Sequence, residues 1–284
     1  MIPLADAEID RLIAEDVGYG DLTTRALDIG ARPGRIEFSA RDPMVASGTE
    51  VAVRILARLG ATAWLKLPSG VRAEAGTRLL EATGPAAVLH AGWKVAQTLL
   101  EWSSGIATSV REIRDAARAA APGVVVACTR KAVPLTRALS IQAVLHGGGT
   151  MHRTGLGDTL LVFPEHRTFL HGEDLPAMVT RLRATAPERA IVVEVASLDD
   201  AALAVAAGAD VVQLEKLPPE AVAVLRARMT NFRAPQAKIA AAGGITAANA
   251  AAYARAGADI LVTSAPYTAR PRDVQVRIAA ANHA

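Results

Sequence analysis

The chain has 284 residues, of which 51% are hydrophobic, and its formal net charge is +3. This length suits a barrel-sized domain together with a smaller one. The small, evenly spread charge and an aromatic content of 4% argue against a nucleic-acid-binding protein, which needs a basic patch or stacking platforms. No stretch approaches the roughly 20 apolar residues that cross a bilayer, so we expect no membrane partner.

Cysteine usage and the first residues bear on the cellular compartment. Cys128 is the single cysteine, which excludes internal disulfides and a multi-cysteine metal site. The first eight residues have neither a basic run nor an apolar core, so they do not resemble a secretory signal. Both observations favour a cytoplasmic protein. We expect Cys128 to be a core residue rather than a nucleophile.

The first third of the chain mixes short strands with helices. The spacing of its apolar residues predicts, in chain order, a helix over 4–16, a strand over 34–40, a helix that begins near Val51, strands over 63–67 and 78–82, and two helices over 91–102 and 108–120 separated by 103–105. This pattern is typical of a small α+β domain. We place the domain boundary at the end of the 103–105 segment.

From residue 123 onward, short apolar runs alternate with helical stretches. Six runs are predicted to be strands, at 124–127, 160–163, 191–195, 211–214, 239–242 and 260–262. The alternation is typical of the βα units of a parallel sheet. Six strands are too few for a closed eight-stranded barrel, so the sequence predicts an open, incomplete α/β barrel.

Ligands of parallel α/β folds bind at the carboxyl ends of the strands, and the residues found there are polar or glycine. These residues are Arg130, Lys131, Glu215, Gly243, Gly244 and Ser264, with His152 and Arg153 after the glycine run 147–149. Glu194 lies inside an apolar run, where a carboxylate is costly without a cation, a metal or a sugar hydroxyl. The sequence therefore predicts one site with a basic cluster, two carboxylates and a glycine turn. A solvated basic rim is the alternative for the cations.

The glycine pair predicts a phosphate site. Gly243 and Gly244 end a predicted strand, and Thr246 is placed to cap a following helix, so backbone N–H groups can approach a phosphate at a helix N-terminus. A tight connection without a ligand is the alternative interpretation. We expect only surface or structural roles for His166 and His171, which lack companion zinc ligands.

Several segments together resemble a known superfamily. They are Thr129-Arg130-Lys131, the glycine run 147–149 followed by His152-Arg153, and the early segment Glu15-Asp16-x-Gly18-x-Gly20-Asp21. In this order they are similar to the signature of the quinolinate phosphoribosyltransferases, or nicotinate-nucleotide pyrophosphorylases. The resemblance implies an N-terminal open-faced α/β sandwich over 1–105 and an open α/β barrel over 106–269. It also implies a tail, about 270–284, that packs back on the first domain.

The resemblance also implies an activity and roles for the site residues. Enzymes of this superfamily use Mg²⁺ and transfer a phosphoribosyl group from phosphoribosyl pyrophosphate to a small-molecule acceptor. They form a homodimer or a higher homo-oligomer with a shared active site. The implied roles are acceptor binding for Arg130, His152 and Arg153, donor contact for Lys131, ribose and Mg²⁺ binding for Glu194 and Glu215, and phosphate binding for Gly243, Gly244 and Ser264. Lys131, Glu194 and Glu215 would form the catalytic set.

Two acceptor-site positions depart from the quinolinate pattern. Phe163 stands where those enzymes carry a lysine, and Lys94 stands where an arginine from the neighbouring subunit is expected. Phe163 removes a cation, and Lys94 lacks the two-pronged contact with a carboxylate that only a guanidinium offers, so both changes favour an acceptor other than quinolinate. They resemble the ModD branch, pyrophosphorylases associated with molybdenum-transport operons. Two alternatives stay open: a quinolinate phosphoribosyltransferase of NAD biosynthesis, and a non-catalytic anion-binding accessory protein in molybdenum metabolism.

Overall fold

The computed structural model describes residues 4–231 and 237–281. The chain divides into two compact units. Unit 1 comprises the described residues of Met1–Ser109, Val133–Gly148 and Pro266–Ala284, and unit 2 those of Val110–Ala132 and Gly149–Ala265. The domain boundary proposed after residue 105 stays a prediction. Across both described ranges, no helix combines the length and the apolar character that crossing a bilayer requires.

Unit 1 is an antiparallel sheet covered by helices. Its helices are α1 (Asp6–Val17), α2 (Leu22–Ala26), α3 (Thr49–Arg58), the first part of α4 (Ala86–Ala120) and α5 (Arg137–His146), and its strands are β1 (Pro33–Ala40), β2 (Met44–Val45), β3 (Thr62–Leu65), β4 (Arg72–Ala73), β5 (Arg78–Pro85) and β13 (Val274–Ala280). The main sheet has the order β13-β1-β5-β3, and β2 pairs with β4. Alternate residues of β1, including Ile36 and Phe38, are buried in the core beneath α3 and α4.

The strand β13 is far from its neighbour β1 in sequence. The two strands pair antiparallel in an unbroken register from Gly34 opposite Ala280 to Ala40 opposite Val274. On its other edge β1 pairs with β5. The central strand of unit 1 therefore has one neighbour nearby in sequence and one from the far end of the described chain.

The sequence predicted two helices separated by residues 103–105, but the structure has one long helix, α4, that continues through these residues. The hydroxyl of Ser103 donates a hydrogen bond to the carbonyl of Leu99, 2.6 Å away, so it bonds within the helix instead of ending it. A Cβ on Gly105 would lie 2.5 Å from the carbonyl oxygen of Arg270. These small residues allow close packing of another segment against the helix, which is a second reason for a sequence to place them together.

Unit 2 is a curled parallel sheet with helices on one face. Its strands are β6 (Val125–Cys128), β7 (Thr150–Met151), β8 (Leu160–Val162), β9 (Ile191–Val195), β10 (Val211–Glu215), β11 (Lys238–Ala242) and β12 (Ile260–Thr263), and its helices are the last part of α4, α6 (Pro164–Arg167), α7 (Leu175–Thr185), α8 (Leu198–Ala206), α9 (Pro219–Asn231) and α10 (Ala250–Arg255). A short 3-10 helix, Ala265–Thr268, begins at the last residue of unit 2 and continues into unit 1. The strand order is β7-β6-β12-β11-β10-β9-β8, with β7 and β8 at the two edges. The predicted open α/β barrel is confirmed, and each of its six predicted strands is present.

Side chains on the two faces of this sheet have different surroundings. Val212 and Leu214 of β10 belong to the large core under the helices, whereas Gln213 and Glu215 alternate with them and point to the opposite face. On that opposite face, Ala240, Ala242 and Val262 form a small separate cluster. Small residues there leave room inside the curl of the sheet. Cys128, at the end of β6, is fully buried, and burial raises the pKa of its thiol to about 12, so it is a core residue as predicted.

An aspartate joins the amino ends of two pairs of neighbouring strands, β9 with β10 and β11 with β12. The sequence Ala-Gly-Ala-Asp occurs at 207–210 and again at 256–259, each time just before a strand. Asp210 accepts a hydrogen bond from the backbone N–H of Ile191 at 2.7 Å, and Asp259 accepts one from Ile239 at the same distance. Each carboxylate also binds an arginine of the packed helices, Arg183 or Arg226. These carboxylates fix neighbouring strands at the end opposite to the predicted site.

Candidate active site

A cavity of about 590 Å³ opens at the carboxyl ends of the unit 2 strands. Every residue that lines it belongs to unit 2. All predicted site residues except Lys94 line this cavity: Arg130, Lys131, His152, Arg153, Phe163, Glu194, Glu215, Gly243, Gly244 and Ser264. The sheet therefore brings the predicted acceptor and donor residues together, while their individual roles stay predictions.

Lys94 lies elsewhere, on the exposed surface of α4 in unit 1. Its ammonium group lies 4.5 Å from the centre of the Trp93 ring and donates a hydrogen bond to Gln97 at 3.0 Å. It lines a concavity of unit 1 together with Glu15 and Asp16. Its predicted role requires a second copy of the chain and stays a prediction.

The basic side of the cavity is built around one buried guanidinium. Arg153 is 7% exposed, and one of its terminal nitrogens donates to the carbonyl of Leu156 at 2.7 Å. Its Nε is buried without a hydrogen-bond partner in the described part of the chain. Burial and the nearby charge of Arg130 lower the pKa of Arg153 from its ordinary value. A buried cation with an unused donor is suited to an anionic group of a ligand.

His152 lies beside Arg153 in the same wall of the cavity. Its backbone N–H donates to the carbonyl of Cys128 at 2.9 Å, which fixes the segment at the end of β6. Burial, together with the positive charge of Arg153, lowers the pKa of the imidazole. A lowered pKa favours the neutral imidazole at neutral pH, which offers the cavity hydrogen bonds rather than charge.

The acidic side of the cavity centres on Glu194 and Glu215, which lie on neighbouring strands β9 and β10. Burial raises the pKa of Glu194, and the negative charges of Glu215 and Glu165 raise it further. A hydrogen bond from Gln213 and the charge of Lys131 act in the opposite direction. Two half-buried carboxylates facing a cavity can accept hydrogen bonds from hydroxyl groups or stabilise a developing positive charge.

The glycine turn after β11 is a backbone surface of the cavity. Gly243 and Gly244 both have positive φ, +87° and +77°. A Cβ on Gly243 would lie 2.5 Å from Cγ of Lys216 and 3.2 Å from a carboxylate oxygen of Glu215, whereas Gly244 has open space. Only glycine therefore fits at 243 without displacing the end of β10.

The structure corrects the helix start predicted at Thr246. The helix α10 begins at Ala250, after a turn in which the N–H of Thr246 donates to the side-chain oxygen of Asn249 at 2.8 Å. The amide of Asn249 in turn donates to the carbonyl of Gly244 at 2.9 Å. Asparagine makes such local bonds to its own backbone readily, which is why the turn continues. The glycine turn faces the cavity without a helix directly behind it.

Thr263 joins this turn to the next strand end. Its buried hydroxyl donates to the carbonyl of Ile245 at 2.7 Å and accepts a hydrogen bond from the N–H of Ala265 at 3.1 Å. Ser264, between these residues, lines the cavity. One side chain therefore sets the spacing of the two loops predicted to bind phosphate.

Phe163 is held in place by His166. The imidazole Nδ1 of His166 accepts a hydrogen bond from the backbone N–H of Phe163 at 2.9 Å, at the start of α6. The two rings stack, with centroids 5.7 Å apart and planes inclined by 15°. The structural role expected for His166 is thus to orient an aromatic ring in the wall of the cavity.

Other residues of the cavity wall were not predicted as site residues. They are Thr129, Leu161, Glu165, Gln213, Lys216, Ala242 and Val262. Gln213 had a signal in the sequence, because it is a polar residue in an apolar run, two positions before Glu215. Glu165 had none, since it lies on a four-residue helix whose existence the apolar pattern does not predict.

Comparison with known proteins shows the family of the chain. The family model for the C-terminal domain of quinolinate phosphoribosyl transferase matches residues 106–277, and that for the N-terminal domain matches residues 21–104. The chain is similar to a protein of Rhodobacter capsulatus named as a pyrophosphorylase, ModD, with 52% identity over 90% of this chain and 98% of that protein. It is also similar to a carboxylating nicotinate-nucleotide pyrophosphorylase of Mycobacterium leprae, with 33% identity over 92% of this chain and 95% of that protein.

Solved structures share the fold. NadC from Streptococcus pyogenes superposes with a TM-score of 0.89 at 24% identity, covering 99% of this chain and 100% of that one. The nicotinate-nucleotide pyrophosphorylase of Francisella tularensis has a TM-score of 0.88 at 21% identity and covers 98% of each chain. With the family models matching nearly the whole chain, the resemblance found in the sequence is confirmed: the chain belongs to the quinolinate phosphoribosyl transferase family and is an enzyme of the phosphoribosyltransferase type.

Proposed function

We propose that the chain transfers a phosphoribosyl group from phosphoribosyl pyrophosphate to a heterocyclic acceptor other than quinolinate, as a ModD-type pyrophosphorylase. The observation that carries this proposal is the orientation of Phe163. Its ring lines the cavity and is stacked on His166, at a position where the quinolinate pattern expects a lysine. An aromatic ring offers a planar heterocycle apolar or stacking contact and no charge.

The charges around Phe163 support the same conclusion. Glu165 lines the cavity two residues further along, so this wall carries a carboxylate as well as lacking the expected cation. Arg130 and Arg153 provide positive charge in the lining of the cavity. His152 lines it too, and its lowered pKa favours the neutral form. An acidic group on the side of the acceptor that faces Phe163 would lie without the cation expected there, at a cost of several-fold in affinity. The acceptor is therefore expected to carry no acidic group on that side.

The donor side supports transfer to such an acceptor. The reaction breaks the bond between C1 of the ribose and pyrophosphate and forms a bond from C1 to the acceptor, with positive charge developing at the ribose between the two events. Glu194 and Glu215 would stabilise that charge and bind the ribose hydroxyls. Lys131 would attract the departing pyrophosphate, and Gly243, Gly244 and Ser264 would present backbone and hydroxyl donors to the 5′-phosphate.

A magnesium ion is part of this proposal, as a companion of the donor. Within the described residues there is no group of three or more metal-binding side chains. Mg²⁺ is usually held by one or two carboxylates together with substrate phosphates, and the hard oxygens of Glu194 and Glu215 fit that pattern. When bound, the ion would neutralise charge on the leaving pyrophosphate.

A screen of heterocyclic acids and bases for donor-dependent pyrophosphate release tests the acceptor. We expect release with a monoanionic or neutral heterocycle and none above background with quinolinate. A Lys131→Ala variant serves as the control for background hydrolysis. Quinolinate turnover well above that control would establish the alternative, a quinolinate phosphoribosyltransferase, which the retained Arg130, His152 and Arg153 favour.

Titration with phosphoribosyl pyrophosphate and Mg²⁺ in a calorimeter tests the donor independently of the acceptor. Binding that is lost in a Glu215→Gln variant is expected. A chain that binds no donor at millimolar concentration would refute phosphoribosyl transfer and favour the non-catalytic anion-binding alternative. Two carboxylates in an anion site count against that alternative, because they repel the ligand it would bind.

We also propose a homodimer in which Lys94 of one subunit completes the acceptor site of the other. Its support is the family resemblance, together with the exposure of Lys94 outside the cavity of its own unit 2. Co-expression of Lys94→Ala and Glu215→Gln chains tests it, because a mixed dimer regains one intact site. Activity of about a quarter of the wild-type value is expected from random pairing, and no recovery would contradict a shared site.

A further inference from the structure

Gln213 is a buried polar residue in the wall of the cavity. It lies in the middle of β10, directly opposite Glu194 of β9 in the parallel register. The side chain is 3% exposed. Its neighbours Val212 and Leu214 point into the apolar core, so Gln213 and Glu215 share the face that lines the cavity.

Among the described residues, only one end of the Gln213 amide has a hydrogen-bond partner. Nε2 donates a hydrogen bond to a carboxylate oxygen of Glu194 at 2.6 Å. The amide oxygen Oε1 is buried and has no hydrogen-bond partner in the described part of the chain. A rotation of the amide that exchanged the two ends would place oxygen against a carboxylate, so the unused atom is the acceptor.

Packing alone does not explain a glutamine at this position. Leu161, Ala242 and Val262 line the same cavity and are apolar, so the interior of the curl can be closed with apolar side chains. A buried acceptor costs stability unless a donor reaches it. In the wall of a cavity, a ligand that fills the cavity can supply that donor.

We propose that Gln213 is a ribose-binding and positioning residue: its amide nitrogen orients Glu194, and its amide oxygen accepts a hydrogen bond from a ribose hydroxyl of the phosphoribosyl donor. The proposal rests on the proposed function for the nature of the ligand. A ribose carries two adjacent hydroxyls, and each can donate one hydrogen bond. Glu194 and Gln213 are joined by a hydrogen bond and both line the cavity, so they would offer adjacent acceptors to such a pair.

The test compares a ligand that has the ribose with one that lacks it. Binding of ribose 5-phosphate and of inorganic pyrophosphate, each with Mg²⁺, is measured by calorimetry for the wild type and for Gln213→Met, which keeps the volume but cannot hydrogen-bond. We expect the dissociation constant of ribose 5-phosphate to rise about tenfold and that of pyrophosphate to stay unchanged. Gln142→Met, a change at a buried glutamine of unit 1, is the matched control.

A double substitution separates the direct contact from the effect through Glu194. If Gln213 binds the ribose itself, Gln213→Met still weakens ribose 5-phosphate binding in a Glu194→Gln background. Disappearance of the effect in that background would overturn the direct contact, and equal weakening of pyrophosphate binding would overturn a ribose-specific role. If Gln213→Met does not fold, as judged by thermal unfolding, Gln213→Leu provides the same comparison.

The outcome for the wild type distinguishes this inference from the proposed function. A wild type that binds neither phosphoribosyl pyrophosphate nor ribose 5-phosphate would overturn both. A wild type that binds and turns over the donor, with the same constants in Gln213→Met, would overturn the role of Gln213 alone. A rise in KM for the donor with little change in kcat agrees with ground-state ribose binding.

Discussion

The ring of Phe163 and the imidazole of His166 form a stacked pair in which the imidazole also accepts the backbone N–H of Phe163. The hydrogen bond fixes the backbone of Phe163 against the imidazole, and the stacking places its ring beside the same group. A substitution of Phe163 therefore changes the side chain proposed to contact the acceptor and leaves the residues proposed to bind the phosphoribosyl donor unchanged.

Replacing Phe163 with lysine should shift acceptor preference towards dicarboxylates. A charged hydrogen bond to the second acidic group would improve quinolinate binding by about tenfold or more. Calorimetric titration of quinolinate into Phe163→Lys measures it, with Phe163→Leu as the control that removes the ring without adding charge. Equal quinolinate affinity in the two variants would mean that residue 163 does not contact the acceptor.

Gly243→Ala and Gly244→Ala form a matched pair. Each alanine at positive φ costs about 1–2 kcal/mol in the free energy of unfolding. Only at 243 does the new Cβ also meet Lys216 and Glu215, so this variant should be the less stable of the two and should lose affinity for ribose 5-phosphate more strongly. Chemical denaturation and calorimetry measure the two effects, and equal losses in both variants would contradict the close approach at 243.

Thr263→Val should loosen the two loops that Thr263 joins. The substitution removes the hydroxyl and leaves the carbonyl of Ile245 without its donor, at a cost of about 1–3 kcal/mol in the free energy of unfolding. KM for the phosphoribosyl donor should rise as well, because the spacing of Gly244 and Ser264 is no longer fixed. A Thr263→Ser variant keeps the hydroxyl and should behave like the wild type. Wild-type donor binding in Thr263→Val would contradict the role of the hydroxyl, because valine keeps the methyl group and removes only the hydrogen bonds.

Because His146 is buried in unit 1, we expect the protein to lose stability in mild acid. Burial lowers the pKa of this imidazole, whose Nδ1 lies 2.8 Å from the hydroxyl of Ser47. Because the unfolded chain then binds the proton more tightly than the folded chain, the free energy of unfolding falls as the pH drops below the ordinary histidine value of about 6.5. One such group contributes at most about 1.4 kcal/mol per pH unit.

Urea denaturation at about pH 7.5 and about pH 5.5 measures this effect, on either side of the ordinary histidine pKa. His146→Gln should reduce the difference in unfolding free energy between the two conditions. His171→Gln, at an exposed position, should leave the difference as it is in the wild type. An unchanged difference in His146→Gln would assign the acid sensitivity to other groups.

The sheet of unit 2 and most of the residues that line its cavity could be predicted from the sequence, and the reason is physical. A buried parallel strand needs a run of apolar residues, and the first polar residues after the run mark the strand's carboxyl end, as for Thr129-Arg130 and for Glu215. The edge strand β7 was missed because its two residues, Thr150 and Met151, are too few to show a pattern. The continuity of α4 was missed because serine and glycine end helices in some contexts and permit close packing in others.

Inside the cavity, what could not be predicted is the pairing of side chains. Gln213 is a single polar residue in an apolar run. Its hydrogen bond to Glu194 depends on the register of β9 and β10, which are separated by a helix in the chain. The stacking of His166 on Phe163 depends similarly on the short helix α6. Local sequence predicts which residues end a strand, whereas contacts across strands require the register.

The pairing of β1 with β13 has a consequence for how the chain folds during synthesis. Residues 33–40 leave the ribosome long before residues 274–280, and until the latter emerge one edge of β1 has no strand to bind. Closing so long a loop is slow, and an unpaired strand edge invites contact with other chains. Unit 1 therefore reaches its final sheet only after unit 2 has been translated, and until then one edge of β1 is open to contact with other chains.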